Sequence, residues 1–464
     1  MNEVGGRDPR ETVLGLVPKD WATMDLDDRD LFEFENGLWL GRRPPYTAAR
    51  VIRSTNFQND GTIDFSDVAE LPVELRLLPK KQLRRGDIVI ERSGGGPKQP
   101  VGRVVFFNRE DGIYSFGNFT SRLRAVDSSA AIPQFVFLAL LEFHRQGGTL
   151  RIQHKTTGIR NLAFDSYRCL RLPRPPASEQ QAIATVLSKI QAAAEAQDKI
   201  VTTLKELKAA TMAKLFREGL RNEPLKQTDL GEIPQSWDLA RIGDRFIFTV
   251  KPRGKRLESH GAIPFVRMEQ IPSGRLFFSD FSLREPEGVT TGTYFEEGDL
   301  LVPKITPCFE NGKQGIATDI PGGFGMATTE VIPIKEIAGV SDIRFLAFYL
   351  LGSNVRATLA GKMEGATGRQ RLPKKLLEDW TIPFPALSEQ RQIGEMLTGI
   401  QTAETSHTST RDSLREIFGA TLHLLMTGHV RVTELMDTEN VLRKDVGRGE
   451  VTAAKASAAN RRVT

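Results

Sequence analysis

The sequence predicts an α+β chain: two tandem α+β domains, separated by two long helices that form an antiparallel coiled coil, related by a pseudo-twofold internal repeat. Three observations carry this. The chain matches itself, in order, at a period of about 210 to 216 residues. Each copy runs from short β-rich segments through a proline-rich break into a helical segment. Each helical segment bears apolar residues at near-heptad spacing over about 40 residues. The full length of 464 residues suits about three domain-sized units.

Residues 1–14 read as an N-terminal extension, and residues 1–35 hold 10 acidic side chains against 4 basic ones. The first domain is placed at 15–176, the first spacer helix at 177–220, the second domain at 221–385 and the second spacer helix at 386–428. Residues 429–464, rich in Ala, Lys and Arg towards the end and short of apolar anchors, read as a disordered tail. Four landmarks fix the repeat. Gly15-Leu16-Val17-Pro18-Lys19-Asp20-Trp21 returns as Gly231-Glu232-Ile233-Pro234-Gln235-Ser236-Trp237, and Gly86-Asp87-Ile88-Val89 as Gly298-Asp299-Leu300-Leu301. Thr157-Gly158 with Leu162 returns as Thr367-Gly368 with Leu372, and Pro175-Pro176-Ala177-Ser178-Glu179-Gln180 as Pro385-Ala386-Leu387-Ser388-Glu389-Gln390. Inside each copy, strands near Asp87–Arg92 and Asp299–Lys304 correspond, as do apolar helices at Gln134–Phe143 and Ile343–Leu351.

Both spacer helices are read as starting at a serine cap, Ser178 with Gln181 as a capping box and Ser388 without one. The apolar stripe of the first falls at Ile183, Leu187, Ile190, Ala194, Val201, Leu204, Thr211 and Leu215. That of the second falls at Ile393, Leu397, Ile400, Leu414, Ile417, Leu422 and Leu425. A helix of 40 residues is about 60 Å long. Pairing the two stripes buries both; folding each helix onto its own domain is the alternative. Gln197 and His407 fall at matching seam positions, where a polar pair fixes register.

Composition narrows the functional classes. Hydrophobic residues make up 39% and charged residues 26%, ordinary globular values. No run approaches the apolar length a membrane helix needs, and the N-terminus lacks the pattern of a secretory signal, so a cytoplasmic protein is expected. Cys169 and Cys308 have no CxxC spacing and are expected to be buried apolar side chains. The net charge of +5 is unevenly spread: residues 36–173 hold 21 basic and 12 acidic side chains, whereas 232–383 hold 19 of each. A polyanionic partner fits the first segment.

Signatures of bond-making chemistry are missing parts. Arg43-Pro44-Pro45-Tyr46 looks like an amino-methyltransferase motif, but arginine has only donors where that chemistry needs an acceptor. Ser93-Gly94-Gly95-Gly96-Pro97 and Gly322-Gly323-Phe324-Gly325 do not open helices as a nucleotide-binding loop does. Asp87 followed by Glu91-Arg92-Ser93 breaks a nuclease pattern, no P-loop occurs, and the 6 histidines are scattered. No metal site and no cofactor are expected.

Recognition chemistry is better represented. Arg92, Ser93, Lys98 and Gln99 combine cations, a hydroxyl and an amide on a glycine-rich loop, suited to phosphates and base edges together. Arg53 and Asn56, Arg122 and Arg124, and Lys155, Thr157 and Arg160 add similar clusters. The second half offers Arg267, Gln270, Lys304, Thr306, Asn311, Lys313, Gln314, Thr367, Arg369 and Arg371 at corresponding places.

With these residues in view, the chain resembles the specificity subunits of type I restriction-modification systems, the HsdS family. The resemblance spans Gly15 to Gly428 and rests on the Gly-x-Ile/Val-Pro-x-x-Trp openings, the Gly-Asp strands, the Thr-Gly elements and the doubled Ser-Glu-Gln helix starts. It implies a non-catalytic subunit with two DNA target-recognition domains, each taking one half of a bipartite target in double-stranded DNA. The helices between them are implied to dock two methyltransferase subunits, with restriction/translocase subunits joining the full complex. S-adenosylmethionine and ATP would belong to those partners. Major-groove readers on one face of a duplex sit about 34 Å apart or a multiple of it, a separation such helices can hold. Unequal domains predict an asymmetric target. A coiled-coil scaffold without DNA specificity is the alternative.

Overall fold

The structure is a computed structural model that describes residues 10–39, 43–96, 99–156, 159–256, 261–289, 291–366 and 368–432. The chain divides into two compact units, residues 1–193 with 414–464, and residues 194–413. Each unit holds one α+β domain and part of both long helices.

In the first unit a central antiparallel sheet runs in the order Phe32–Asn36, Thr120–Ala125, Ile88–Glu91, Val104–Phe106. Ile88–Glu91 is buried along its length. Its unbroken Ile-Val-Ile run follows, because a strand covered on both faces has no solvent side to alternate towards. Helix Pro133–Arg145 begins with a proline where no intrahelical N–H is needed, and Phe135 to Phe143 pack into the same core as the sheet. A second sheet sets Tyr46–Ile52 between Ala69–Glu74, antiparallel, and Tyr114–Phe116, parallel.

The second unit repeats the order with Phe246–Phe248, Val331–Glu336, Leu300–Pro303 and Gly315–Ala317, and adds Phe277–Phe278 at the edge. Its second sheet pairs Ile263–Val266 parallel to Phe324–Ala327 and antiparallel to Ser282–Arg284. Helix Ile343–Leu351 takes the place of Pro133–Arg145, and the Asp342 carboxylate accepts the Arg344 amide as its N-cap.

The long helices are Ala177–Glu218 and Leu387–Met426. They differ from expectation at their starts: Ser178 and Ser388 lie inside the first turn, and the amides at 179 and 180 bond the Pro176 carbonyl as those at 389 and 390 bond Ala386. The glutamine of the Ser-Glu-Gln motif anchors each helix start. Gln180 accepts the Ile132 amide at 3.0 Å and donates to the Ala130 and Pro175 carbonyls. Gln390 accepts the Asp342 amide at 3.0 Å and donates to the Pro385 carbonyl. In both units this side chain ties the spacer helix to the start of the core helix, with its amide bonds made where water is excluded.

Within each unit the helices run antiparallel. Ile183 and Leu187 share a core with Phe418, Leu422 and Leu425, and Met212 and Leu215 share one with Ile393 and Leu397. Ile190, Leu204, Ile400 and Leu414 are half-buried. Ile417 is a correction: it is 50% exposed and Phe418 fills the seam, since a 3.6-residue turn drifts off a strict heptad. The polar middle of the seam, in the second unit, is paired. His407 Nδ1 lies 2.7 Å from Gln197 Oε1, Lys208 bonds Gln401 and Glu404, and Arg411 reaches Asp198 at 3.2 Å.

Each helix ends at a glycine with left-handed φ, Gly219 at 62° and Gly428 at 69°. A Cβ on Gly219 would crowd Pro234 and Trp237, and one on Gly428 would crowd Pro18 and Trp21. Beyond Gly428, Arg431 bonds both Glu179 and Asp20, Trp21 donates its indole N–H to Glu179 at 3.1 Å, and Val432 is buried. Residues 429–432 are therefore packed, contrary to the expected start of the tail; residues 433–464 lie outside the described residues. The expected extension also shortens, because Glu11–Thr12 pairs with Gly15–Leu16 and Thr12 Oγ1 donates to the Gly15 carbonyl at 2.8 Å. The same hairpin recurs with Thr228 and Gly231 at 2.7 Å. Cys169 is exposed, not buried, because it follows the short helix Phe164–Arg168 on its solvent side; Cys308 is half-buried. Among the described residues no helix is long and apolar enough to cross a membrane.

Candidate nucleic-acid interface

Strand Ile88–Glu91 leads into Arg92, after which Ser93–Gly95 pairs with Ile159–Leu162, itself hairpinned to Gln153–Thr156. Two basic clusters far apart in sequence thus form one small sheet. The Leu162 amide donates to the Arg92 carbonyl at 2.8 Å and Ser93 Oγ donates to Asn161 Oδ1 at 2.6 Å. The Arg92 guanidinium lies 4.3 Å over the Phe164 ring and donates to Asn36 Oδ1 at 2.5 Å. Burial draws its pKa below the usual arginine value, and it remains a cation. Gln99 is exposed and reaches Asn59 at 3.3 Å, while Arg160 is half-buried opposite Gly95. Lys155 lies on the hairpin opposite Arg160. Lys98 and Thr157 lie outside the described residues.

The second unit rebuilds the junction. Strand Leu300–Pro303 leads into Lys304, whose carbonyl accepts the Leu372 amide at 2.7 Å, and Ile305 bridges Arg371. Arg371 is exposed and held by both oxygens of Glu330, which raises its pKa. Arg369 and Asn311 are exposed, Lys313 is half-buried, and Thr306 donates to Glu310 at 2.7 Å. Thr367 lies outside the described residues. Lys304 also lines an open cavity of about 500 Å³ together with Lys251, Lys374, Thr249 and Tyr294. Of these lysines, Lys374 also pairs with Glu378 at 3.5 Å.

Arg53 and Arg267 open equivalent turns. Asn56 Oδ1 accepts the Arg53 amide at 2.9 Å, and Gln270 Oε1 accepts the Arg267 amide at 2.8 Å. Asn56 is buried and also bonds the Asp67 carbonyl, so it shapes the turn and is not free to touch a partner. Arg53 and Arg267 remain accessible, near Asp67 and Glu269 respectively.

Three other expected contacts prove structural. Arg122 is buried, with its guanidinium on Glu33 and the Lys80 carbonyl. Arg124 holds the buried Asp87 with two bonds. Gln314 is buried between the Ala347 carbonyl and Arg356. Arg122 and Arg124 share one face of strand Thr120–Ala125, where the half-exposed Glu33 and the buried Asp87 claim them. Conversely, Asn36, Phe119, Lys251 and Lys374 stand at these surfaces without having been marked by a motif; only Asn161, inside its basic cluster, carried a signal. Among the described residues no group of three or more His, Cys, Asp or Glu is placed to hold a metal ion.

Comparison with known proteins agrees with this doubled architecture. The family model described as the type I restriction modification DNA specificity domain matches twice, at residues 18–212 and 234–414. The protein of Methanocaldococcus jannaschii named for the type I restriction enzyme MjaX specificity subunit is 22% identical over 437 residues, 91% of this chain and 96% of that one. The type I restriction enzyme MjaVIII specificity subunit of the same organism is 25% identical over 293 residues, 62% of this chain and 68% of that one. A crystal structure of the type I restriction-modification S subunit from M. genitalium superposes with a TM-score of 0.58 at 16% identity, over 89% of this chain and 98% of that one, a likeness of fold. Two tandem α+β target-recognition domains, two long paired helices and two matches to one family model identify the chain as a member of the type I restriction-modification DNA specificity family, with a role in DNA sequence recognition.

Proposed function

We propose that each domain contacts one half of an asymmetric bipartite target in double-stranded DNA, through the surface where the central strand's exit meets the Thr-Gly hairpin. In the first domain Arg92, Ser93, Gln99, Lys155, Arg160 and Asn161 supply phosphate and base-edge contacts, with Arg53 beside them. In the second, Lys304, Asn311, Lys313, Arg369 and Arg371 do so, with Arg267 and the lysine-lined cavity. Lys98, Thr157 and Thr367, outside the described residues, fall on the same loops by sequence. The chain itself acts without catalysis; the helices dock two methyltransferase subunits, which bring S-adenosylmethionine, and restriction/translocase subunits bring ATP. It works in the cytoplasm, where its DNA is.

The observation that carries this is the shared main-chain junction. Leu162 onto Arg92 and Leu372 onto Lys304 make the same bond in both domains while the side chains around it differ. A scaffold for protein partners gives no reason to build that junction twice with cationic, unlike side chains.

The test is genome-wide methylation mapping in cells that express the partner methyltransferase with and without this chain. A split motif of two unlike halves, present only with both proteins, is the expected result. An active methyltransferase that gains no motif from this chain would remove the specificity role.

A further inference from the structure

Between strands Tyr114–Phe116 and Thr120–Ala125 the chain turns through Gly117, Asn118 and Phe119. Phe119 is 54% exposed. One exposed aromatic is ordinary on a protein surface. This one is carried on a closely hydrogen-bonded turn at an informative place. Its carbonyl accepts the amides of both Arg92 and Ser93, at 2.8 and 3.3 Å, which puts it inside the rim of polar groups assigned above to base contact. The turn is closed by the Thr120 amide and hydroxyl, both donating to the Gly117 carbonyl. Gly37 approaches Gly117 so closely that an added Cβ would overlap its carbonyl oxygen.

The fold does not require an aromatic at this position. In the second domain the Lys304 amide donates to the Glu330 carbonyl at 2.9 Å, the counterpart of Arg92 onto Phe119. Glu330 there is mostly buried against Arg371. The same turn thus carries an exposed phenyl ring in one domain and an ion-paired carboxylate in the other.

A phenyl ring offers neither donor nor acceptor, and the one apolar group on a major-groove base edge is the 5-methyl of thymine. We infer that Phe119 is a specificity-determining residue that lays its ring against a thymine methyl in the half-site taken by the first domain. This rests on the DNA-reading assignment above and adds the base that one side chain selects.

The experiment uses the full chain in complex with its methyltransferase partner and duplexes carrying the mapped motif. Thymines of the half-site are replaced one at a time by deoxyuridine, which removes only the methyl group. One replacement should weaken binding about fourfold, the worth of one buried methyl. Phe119→Ala should bind the thymine and deoxyuridine duplexes alike at that position, Phe119→Leu should retain part of the difference, and deoxyuridine effects in the other half-site should be unchanged. Thymine preference that persists in Phe119→Ala, or a wild-type complex indifferent to every thymine methyl of that half-site, overturns the inference while leaving the specificity role intact. A complex with no sequence preference overturns both.

Discussion

At the positions framing the two candidate reading surfaces, the first domain carries Arg92, Phe119 and Asn161, and the second Lys304, Glu330 and Arg371. The main chain bonds alike at these points: the same strand exit, the same turn carbonyl, the same hairpin amide. The difference teaches that backbone hydrogen bonds hold the frame while the side chains are left to vary, which is how one fold can address two unlike sequences.

A second contrast lies just beneath. Asp87 and Asp299 occupy the same buried turn before the central strand. Asp87 is held by two bonds from Arg124, whereas Lys335, the counterpart of Arg124, turns to Glu296 at 2.6 Å. Asp299 is left without a cation of its own, and burial pushes its pKa up to about 6.

The largest expected effect breaks this second contrast. Arg124→Ala strands a buried carboxylate and should cost the first unit about 3–5 kcal/mol. Lys335→Ala removes a pair with both partners partly exposed and should cost about 0–1 kcal/mol. Denaturant titration of each variant reads the difference, and equal losses would mean the two aspartates are not differently held.

Next in size is DNA recognition. Arg92→Ala should relax one half-site and Arg371→Ala the other, each by about 1–3 kcal/mol, roughly 5- to 160-fold in binding to its own half. Competition with duplexes altered in one half at a time separates them. Loss at both halves from either variant would break the assignment of one surface to one half.

The two units should then agree where the geometry agrees. Gln180→Ala and Gln390→Ala each leave a buried amide unpartnered and should destabilise by similar amounts, about 1–3 kcal/mol. A gap well beyond that range between them would show that the common bonding hides different packing.

A further contrast is in pH. Burial, then the charge of Arg103, lowers the His144 pKa to about 4. A folded pKa below the unfolded value of 6.5 contributes stability that is present above 6.5 and lost as pH falls towards 4. Asp299 has the opposite sign: raised from 3.8 to about 6, it contributes below 3.8 and loses that contribution as pH rises through 6. Between pH 4 and 6 acidification should loosen the first unit around His144 and tighten the second around Asp299. Hydrogen exchange at the two pH values, read separately for each site, checks both signs.

Much of the architecture was legible because it is written twice. The repeat landmarks, the core helices and the long helices all rest on periodicities that a single chain displays. The meeting of Ser93 with Asn161 was not visible, since strand pairing across 68 residues leaves no local signal. Arg122 and Arg124 misled because an Arg-x-Arg run looks the same whether it faces solvent or a buried acid. Gln180 and Gln390 were seen as part of a motif, but their bonds to another helix's amide could not be read from spacing. Phe119 sits in a four-residue turn with no pattern around it.

The split composition of the first unit has a consequence for biosynthesis. Phe418, Leu422, Leu425, Met426 and Val432 belong to the same core as Trp21, Ile88 and Leu138. The N-terminal domain emerges from the ribosome long before these side chains exist. At about 5–20 residues per second, synthesis of residues 194–432 keeps that core incomplete for on the order of 10–50 s. A nascent or prematurely terminated chain therefore presents an apolar face that helix Leu387–Met426 later covers, which makes translation through that helix the checkpoint for folding of the first domain.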